Sequence, residues 1–143
     1  MQSPTTRKIS PALIGMLCTL AVVGFHPVWS AETDEAASIE GAMAAYDELV
    51  SVVEAKDLEG FKTLMSFGLT ARMTQDWMFA EGFRSGPEYF EKVPKASPAI
   101  DGDQAVFSKT YDEDTVTATY SIEFVREEGR WKFDGYKTSS RSK

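Results

Sequence analysis

The sequence predicts an α+β domain in which N-terminal helices pack on a curved antiparallel sheet of about four strands. Three observations carry this expectation. Apolar residues recur at helical spacing through the first half of the chain, strict two-residue alternation governs the second half, and acid- or glycine-rich turns separate the alternating runs. A helix stripe and a sheet face that both need cover are satisfied by packing on each other.

The helices come first. From about Asp34 to Ala55, the residues Ile39, Met43, Tyr46, Val50 and Val53 are spaced four, three, four and three apart, which places them on one helix face. Lys56 and Asp57 interrupt this pattern. Asp57 is suited to cap a second short helix, Leu58 to Ser66, with Leu58, Phe61, Leu64 and Met65 inward and Gly68 as its stop. Between Leu69 and Phe83 the pattern fits either a helical face of Met73, Trp77 and Ala80 or a cavity mouth lined by Trp77, Met78 and Phe79. Ser85-Gly86-Pro87-Glu88 predicts the start of another short helix, with proline in the first turn and an acid near the positive end of the helix dipole. Pro94 and Pro98 end the helical half.

The strands follow. A short strand near Ala96 to Ile100 is closed by Asp101-Gly102-Asp103, and Gln104 to Tyr111 runs to the turn Asp112-Glu113-Asp114. From Thr115 to Arg126, the residues Val116, Ala118, Tyr120, Ile122 and Phe124 share one face, opposite a polar row of threonine, serine and glutamate. Glu127-Glu128-Gly129 predicts a hairpin turn, and Arg130 to Tyr136 returns with Trp131 and Phe133 in the core.

Residues 1–30 are expected to be a cleaved secretory signal. They hold a basic start (Arg7, Lys8), an apolar run from Ala12 to Phe25, and a small-residue cleavage region ending at Ser30 or Ala31. The apolar run falls short of the ~20 residues a membrane span needs, and Pro11 and Pro27 bracket it. Lipidation at Cys18 is disfavoured because Leu17 before it is not small. The remaining single domain, residues 31–143, has about 113 residues and contains neither cysteine nor histidine. It is therefore expected in the periplasm or outside the cell, held together by packing without disulfides.

Removing Arg7 and Lys8 moves the formal net charge from −7 to about −9. So acidic a surface is expected to avoid nucleic acid and, once the signal is cleaved, membrane headgroups. The basic residues Arg130, Lys132, Lys137, Arg141 and Lys143 are interspersed with acids and read as solvated. No cofactor or metal is expected: the acids of the two aspartate-rich turns lack the spacing of a calcium loop, and no phosphate loop, nucleophile elbow or zinc motif is present.

The amphipathic opening helix, the short helix Asp57-Leu58-Glu59-Gly60-Phe61-Lys62-Thr63-Leu64-Met65 and the hairpin from Phe124 to Phe133 together resemble the nuclear transport factor 2-like superfamily, which includes SnoaL-like proteins and ketosteroid isomerases. The resemblance covers about Asp34 to Lys137. It implies a cone-shaped α+β barrel with a pocket between the first helix and the concave sheet, and a homodimer through the exposed sheet face. Isomerases of this type use a tyrosine on the first helix, a carboxylate base and a protonated acid on a strand. Tyr46 matches the first role. Ser66 to Gln75 contains no carboxylate, with Asp76 the nearest, and the inward strand positions Val116, Ala118, Tyr120, Ile122 and Phe124 contain no acid. Members that rely on histidine have no counterpart in the mature chain.

No catalytic residue is assigned on this basis. Tyr46, Arg72, Asp76, Trp77 and Tyr120 are the candidate ligand-binding residues, with Arg72 and Asp76 also spaced for a helical ion pair. The preferred expectation is an exported, non-catalytic domain that binds a small apolar ligand or a protein partner through the pocket or the sheet face. Two others stand beside it: a periplasmic accessory or immunity-type protein that binds a basic partner, and an acid/base enzyme built on Tyr46 and Asp76.

Overall fold

The computed structural model describes residues 31–143, with side chains from residue 37 onward. The expected signal segment lies outside the described residues. Four helices come first: α1 (Ala31–Glu54), α2 (Leu58–Leu64), α3 (Phe67–Arg72) and α4 (Asp76–Lys92). Four strands follow: β1 (Ala99–Asp101), β2 (Gln104–Asp112), β3 (Val116–Glu127) and β4 (Arg130–Ser142). All three strand pairings are antiparallel, in the order β1-β2-β3-β4. The chain is thus an α+β fold with helices packed against one open sheet. The expected barrel does not close, because four strands, one of them three residues long, are too few to bring the edges β1 and β4 together.

α1 buries Ala42, Tyr46, Leu49 and Val53, with Met43 and Val50 half-buried beside them. This face lies slightly around the helix from the expected stripe because α1 packs on α2 and α4 as well as on β4. Asp57 caps α2 as expected, its Oδ1 accepting from the Gly60 N–H at 2.9 Å. α2, however, ends at Leu64, and Gly68 does not stop it. Ser66 starts a new helix, α3, its hydroxyl accepting from the Leu69 N–H at 2.9 Å, and Gly68 lies in that helix's first turn.

The ambiguous stretch resolves into the end of α3 and the start of α4. The short helix expected to begin at Ser85-Gly86-Pro87 is instead the second half of α4, which contains Pro87. A proline disfavours helical geometry in the residue before it partly through that residue's Cβ, and Gly86 has none. Packing also requires this glycine: a Cβ at Gly86 would lie 3.0 Å from both Tyr136 Oη and Val53 Cγ1. One at Gly82, in the same helix, would meet nothing closer than Met73 Cε at 3.5 Å. We expect Gly82→Ala to stabilise the protein by up to ~1 kcal/mol through helix propensity. Gly86→Ala is expected to destabilise it by ~1–2 kcal/mol through overpacking. Urea titration of the two variants checks this, and equal effects would contradict the packing at Gly86.

The β3–β4 hairpin turns on Glu128 (φ 50°) and Gly129 (φ 76°), the two left-handed residues of a tight turn matched to strand twist. β4 runs six residues beyond Tyr136, its expected end, because its polar second half pairs with the threonine- and serine-rich start of β3. The register shifts once, so that Phe124 faces Phe133 while Glu123 faces Gly135. Asp134 is the extra residue of this bulge, and Gly135 takes φ 139° there. The bulge puts Phe133 and Tyr136 on the same inner face although they are three residues apart. Phe133 is in the core as expected; Trp131 is only half-buried, lying beside Gly41 with the Arg126 guanidinium over its ring.

Candidate functional site

The bulge and the two helix ends facing it frame a largely apolar cleft. Met65 and Ser66 run alongside β4 as a single parallel bridge, with the Ser66 N–H donating to the Phe133 carbonyl at 2.8 Å. The chain then turns away into α3 and returns as α4, leaving a groove of about 540 Å³ between these helices and the β4 segment Phe133 to Lys137. Leu69, Met73, Met78, Tyr89, Phe133 and Tyr136 supply apolar surface, and Arg72, Trp77, Glu81 and Asp134 contribute polar or aromatic groups. Gly82 and Gly135 add no side chain to the space. A cleft of this volume, mostly apolar with a few polar groups, has the form of a small-molecule or side-chain binding site.

Its polar groups are fixed from below. Ser66 is fully buried; its hydroxyl donates to Asp134 Oδ1 at 2.5 Å while accepting from Leu69, which locks α3 to the bulge. Arg72 Nη2 lies 3.6 Å from the same carboxylate oxygen and donates to the Asp134 carbonyl at 3.3 Å. Among the described residues, the remaining guanidinium nitrogens have no hydrogen-bond partner, so Arg72 keeps donors free at the groove. Glu81 is held by Arg84 at 2.9 Å.

Beneath the groove, Tyr136 stacks on Tyr89 with ring centroids 4.6 Å apart. Its hydroxyl is buried and has no hydrogen-bond partner among the described residues. Burial pushes its pKa well above the ordinary tyrosine value, with Tyr46 and Tyr89 adding to the effect. Tyr46 is raised too, by burial and then by Asp47. Tyrosines in the unfolded chain lose their protons near pH 10 while these two hold theirs, so their contribution to stability is complete below pH ~10 and is lost as the pH rises further. Tyr136→Phe removes an unpaired buried hydroxyl. It is expected to raise stability by ~1 kcal/mol at pH 7 and to soften the alkaline decline, both read by urea titration across pH. A destabilised variant would mean that the hydroxyl has a partner.

The structure does not bring the five sequence-derived candidates together. Arg72 and Trp77 line the groove. Tyr46 is in the core, its hydroxyl donating to the Val93 carbonyl at 2.7 Å. Tyr120 lines a separate recess of about 250 Å³ with Glu91, Lys92, Tyr111 and Glu113, and Lys92 Nζ donates to its hydroxyl at 3.0 Å. Asp76 is exposed in the first turn of α4 and lines neither space. Arg72 ends α3 and Asp76 begins α4, so the expected helical ion pair gives way to Arg72 with Asp134. Tyr46 and Asp76 thus share no cavity, and the groove lies against α3, α4 and β4 instead of α1. Met73 and Met78 were within the ambiguous stretch, while Asp134 and Tyr136 depend on a bulge whose one sequence sign is a glycine inside a strand.

A second recess, of about 740 Å³, is larger but more polar, lined by Glu127, Glu128, Arg130 and Lys132 around the exposed Phe67. Among the described residues no group of three potential ligands could hold a metal ion, and no helix is long and apolar enough to cross a membrane. Comparison with family models, curated proteins and solved structures finds no match to this chain.

Proposed function

We propose that the mature chain is an exported, non-catalytic binding domain of the nuclear transport factor 2-like type, and that the groove between α4 and β4 receives an apolar group of its ligand. One observation carries this reading: about 540 Å³ of accessible space whose walls are mainly Leu69, Met73, Met78, Phe133 and Tyr136. Apolar surface held open in this way gains free energy when a ligand covers it. Ser66 and Asp134 are committed to holding α3 to the bulge and Glu81 is paired with Arg84, so none of the polar groups at the groove forms a nucleophile and base pair. That favours binding over catalysis for this groove.

The test uses 1-anilinonaphthalene-8-sulfonate, an aromatic anion that fluoresces in apolar sites. We expect saturable enhancement with the folded protein, weakened at least about fivefold by Met78→Lys, which sets a charge against the apolar wall. Enhancement unchanged by that substitution, or none at all, would refute the groove as the site.

A further inference from the structure

We propose that the groove's natural occupant is an extended, acidic peptide that adds a fifth strand to the free edge of β4, with alternate apolar side chains in the groove. This rests on the groove-binding reading and names the chemistry of its ligand.

The edge is open and its free groups can be identified. Among the described residues, β3 is the only strand that pairs with β4. The Lys143 N–H donates to the Thr115 carbonyl at 3.1 Å, and the register then runs without a shift from Ser142 back to Gly135. Residues of an antiparallel strand alternate between facing one neighbour and facing away, so Tyr136, Thr138 and Ser140 turn both N–H and C=O away from β3. Among the described residues, no backbone group bonds to them from that side. An unpaired row of this kind is a template for another strand.

The protein already uses this edge once. Met65 and Ser66 pair with it at Phe133 and then leave, and the unpaired row begins where they depart. The groove meets that vacant stretch at its start, at Tyr136, with α4 as its far wall, and Tyr89 of α4 hydrogen-bonds the Thr138 hydroxyl further along.

Side-chain geometry selects the sequence of the added strand. Residues of one strand alternate between faces, so a peptide paired with β4 places every second side chain on the helix side, near Met73, Met78 and Tyr89, about 7 Å apart. The others lie on the outer face beside Lys137 and Arg141, which share the face opposite Tyr136 and Thr138. Lys137 is also paired with Glu123 on that face, while Arg141 forms no ion pair among the described residues. The acids near the groove are engaged, Asp134 by Ser66 and Arg72 and Glu81 by Arg84. Arg141 is thus the charge on the outer face of this edge without an ion-pair partner among the described residues, which calls for an acidic residue at the outward position beside it.

The experiment titrates the protein with a capped seven-residue peptide of alternating glutamate and leucine, using calorimetry and amide NMR. A second peptide is methylated on alternate backbone nitrogens, and 1-anilinonaphthalene-8-sulfonate serves as competitor. We expect the peptide to shift the amides of Tyr136, Thr138 and Ser140 and to displace the probe. N-methylation should weaken binding at least about tenfold. Arg141→Ala should weaken it severalfold, most at low salt. Ser140→Pro removes an outward N–H without touching the β3–β4 ladder and should act like N-methylation. Equal affinity of the methylated peptide overturns strand addition. Binding of the fluorescent probe without the peptide overturns the peptide while leaving the groove, and binding of neither overturns both.

Discussion

Phe133→Ala is expected to destabilise the protein by ~3–5 kcal/mol, a large share of what a domain of this size possesses. Phe133 is 2 % exposed and packs on Phe61, Phe124 and Tyr136 with ring centroids 5.6, 6.1 and 4.7 Å away. It therefore joins α2, β3 and β4 at one point, and its removal opens a cavity whose aromatic walls cannot collapse independently. Urea titration should show the midpoint falling with an unchanged slope. Trp131→Ala should cost clearly less, because that indole is only half-buried at the edge of α1. Equal losses for the two variants would contradict the register of β4.

Ser66→Ala is expected to cost ~2–3 kcal/mol, more than an ordinary helix cap. The hydroxyl closes the first turn of α3 and also donates to Asp134, so one substitution removes a cap worth ~1 kcal/mol and a bond to a charged acceptor worth ~1.5–3 kcal/mol, the two not fully additive. Because these bonds hold α3 to the bulge, the same variant should loosen Arg72 and Leu69 at the groove and weaken 1-anilinonaphthalene-8-sulfonate binding. Ser66→Thr keeps the hydroxyl and should recover part of both losses. A stability loss near 1 kcal/mol would reduce Ser66 to a simple cap.

The elements that could be read from sequence are those set by local chemistry. Asp57 caps α2 because a short carboxylate suits that position whatever surrounds it, and the alternation of Val116 to Phe124 needs only one dry face. α3 was not legible, since six residues are too few for a periodic signal and Gly68 there reads as a stop. Ser85-Gly86-Pro87 reads as a helix start instead of the middle of α4 because the reason a proline is tolerated there, a Cβ-free Gly86 pressed against Val53 and Tyr136, is tertiary. The groove was legible in part. Arg72 and Trp77 were singled out for their chemistry, whereas Tyr46 and Tyr120 follow the periodicity of core-facing positions and find their partners in Val93 and Lys92. Asp134 and Tyr136 enter the site only through the bulge. Gly135 inside the strand is the sequence sign of it.

The order of the sheet also bears on how the chain reaches this structure. Each strand pairs with its immediate successor, and β3 and β4 are joined by only two residues, so the longest ladder closes with little loss of chain entropy. The contacts Ser66 with Phe133 and Tyr89 with Thr138, far apart in sequence, join the helices to a meander whose strands can zip locally. Such a topology favours rapid folding from the C-terminal hairpin, with docking of the helices as the later event that creates the groove.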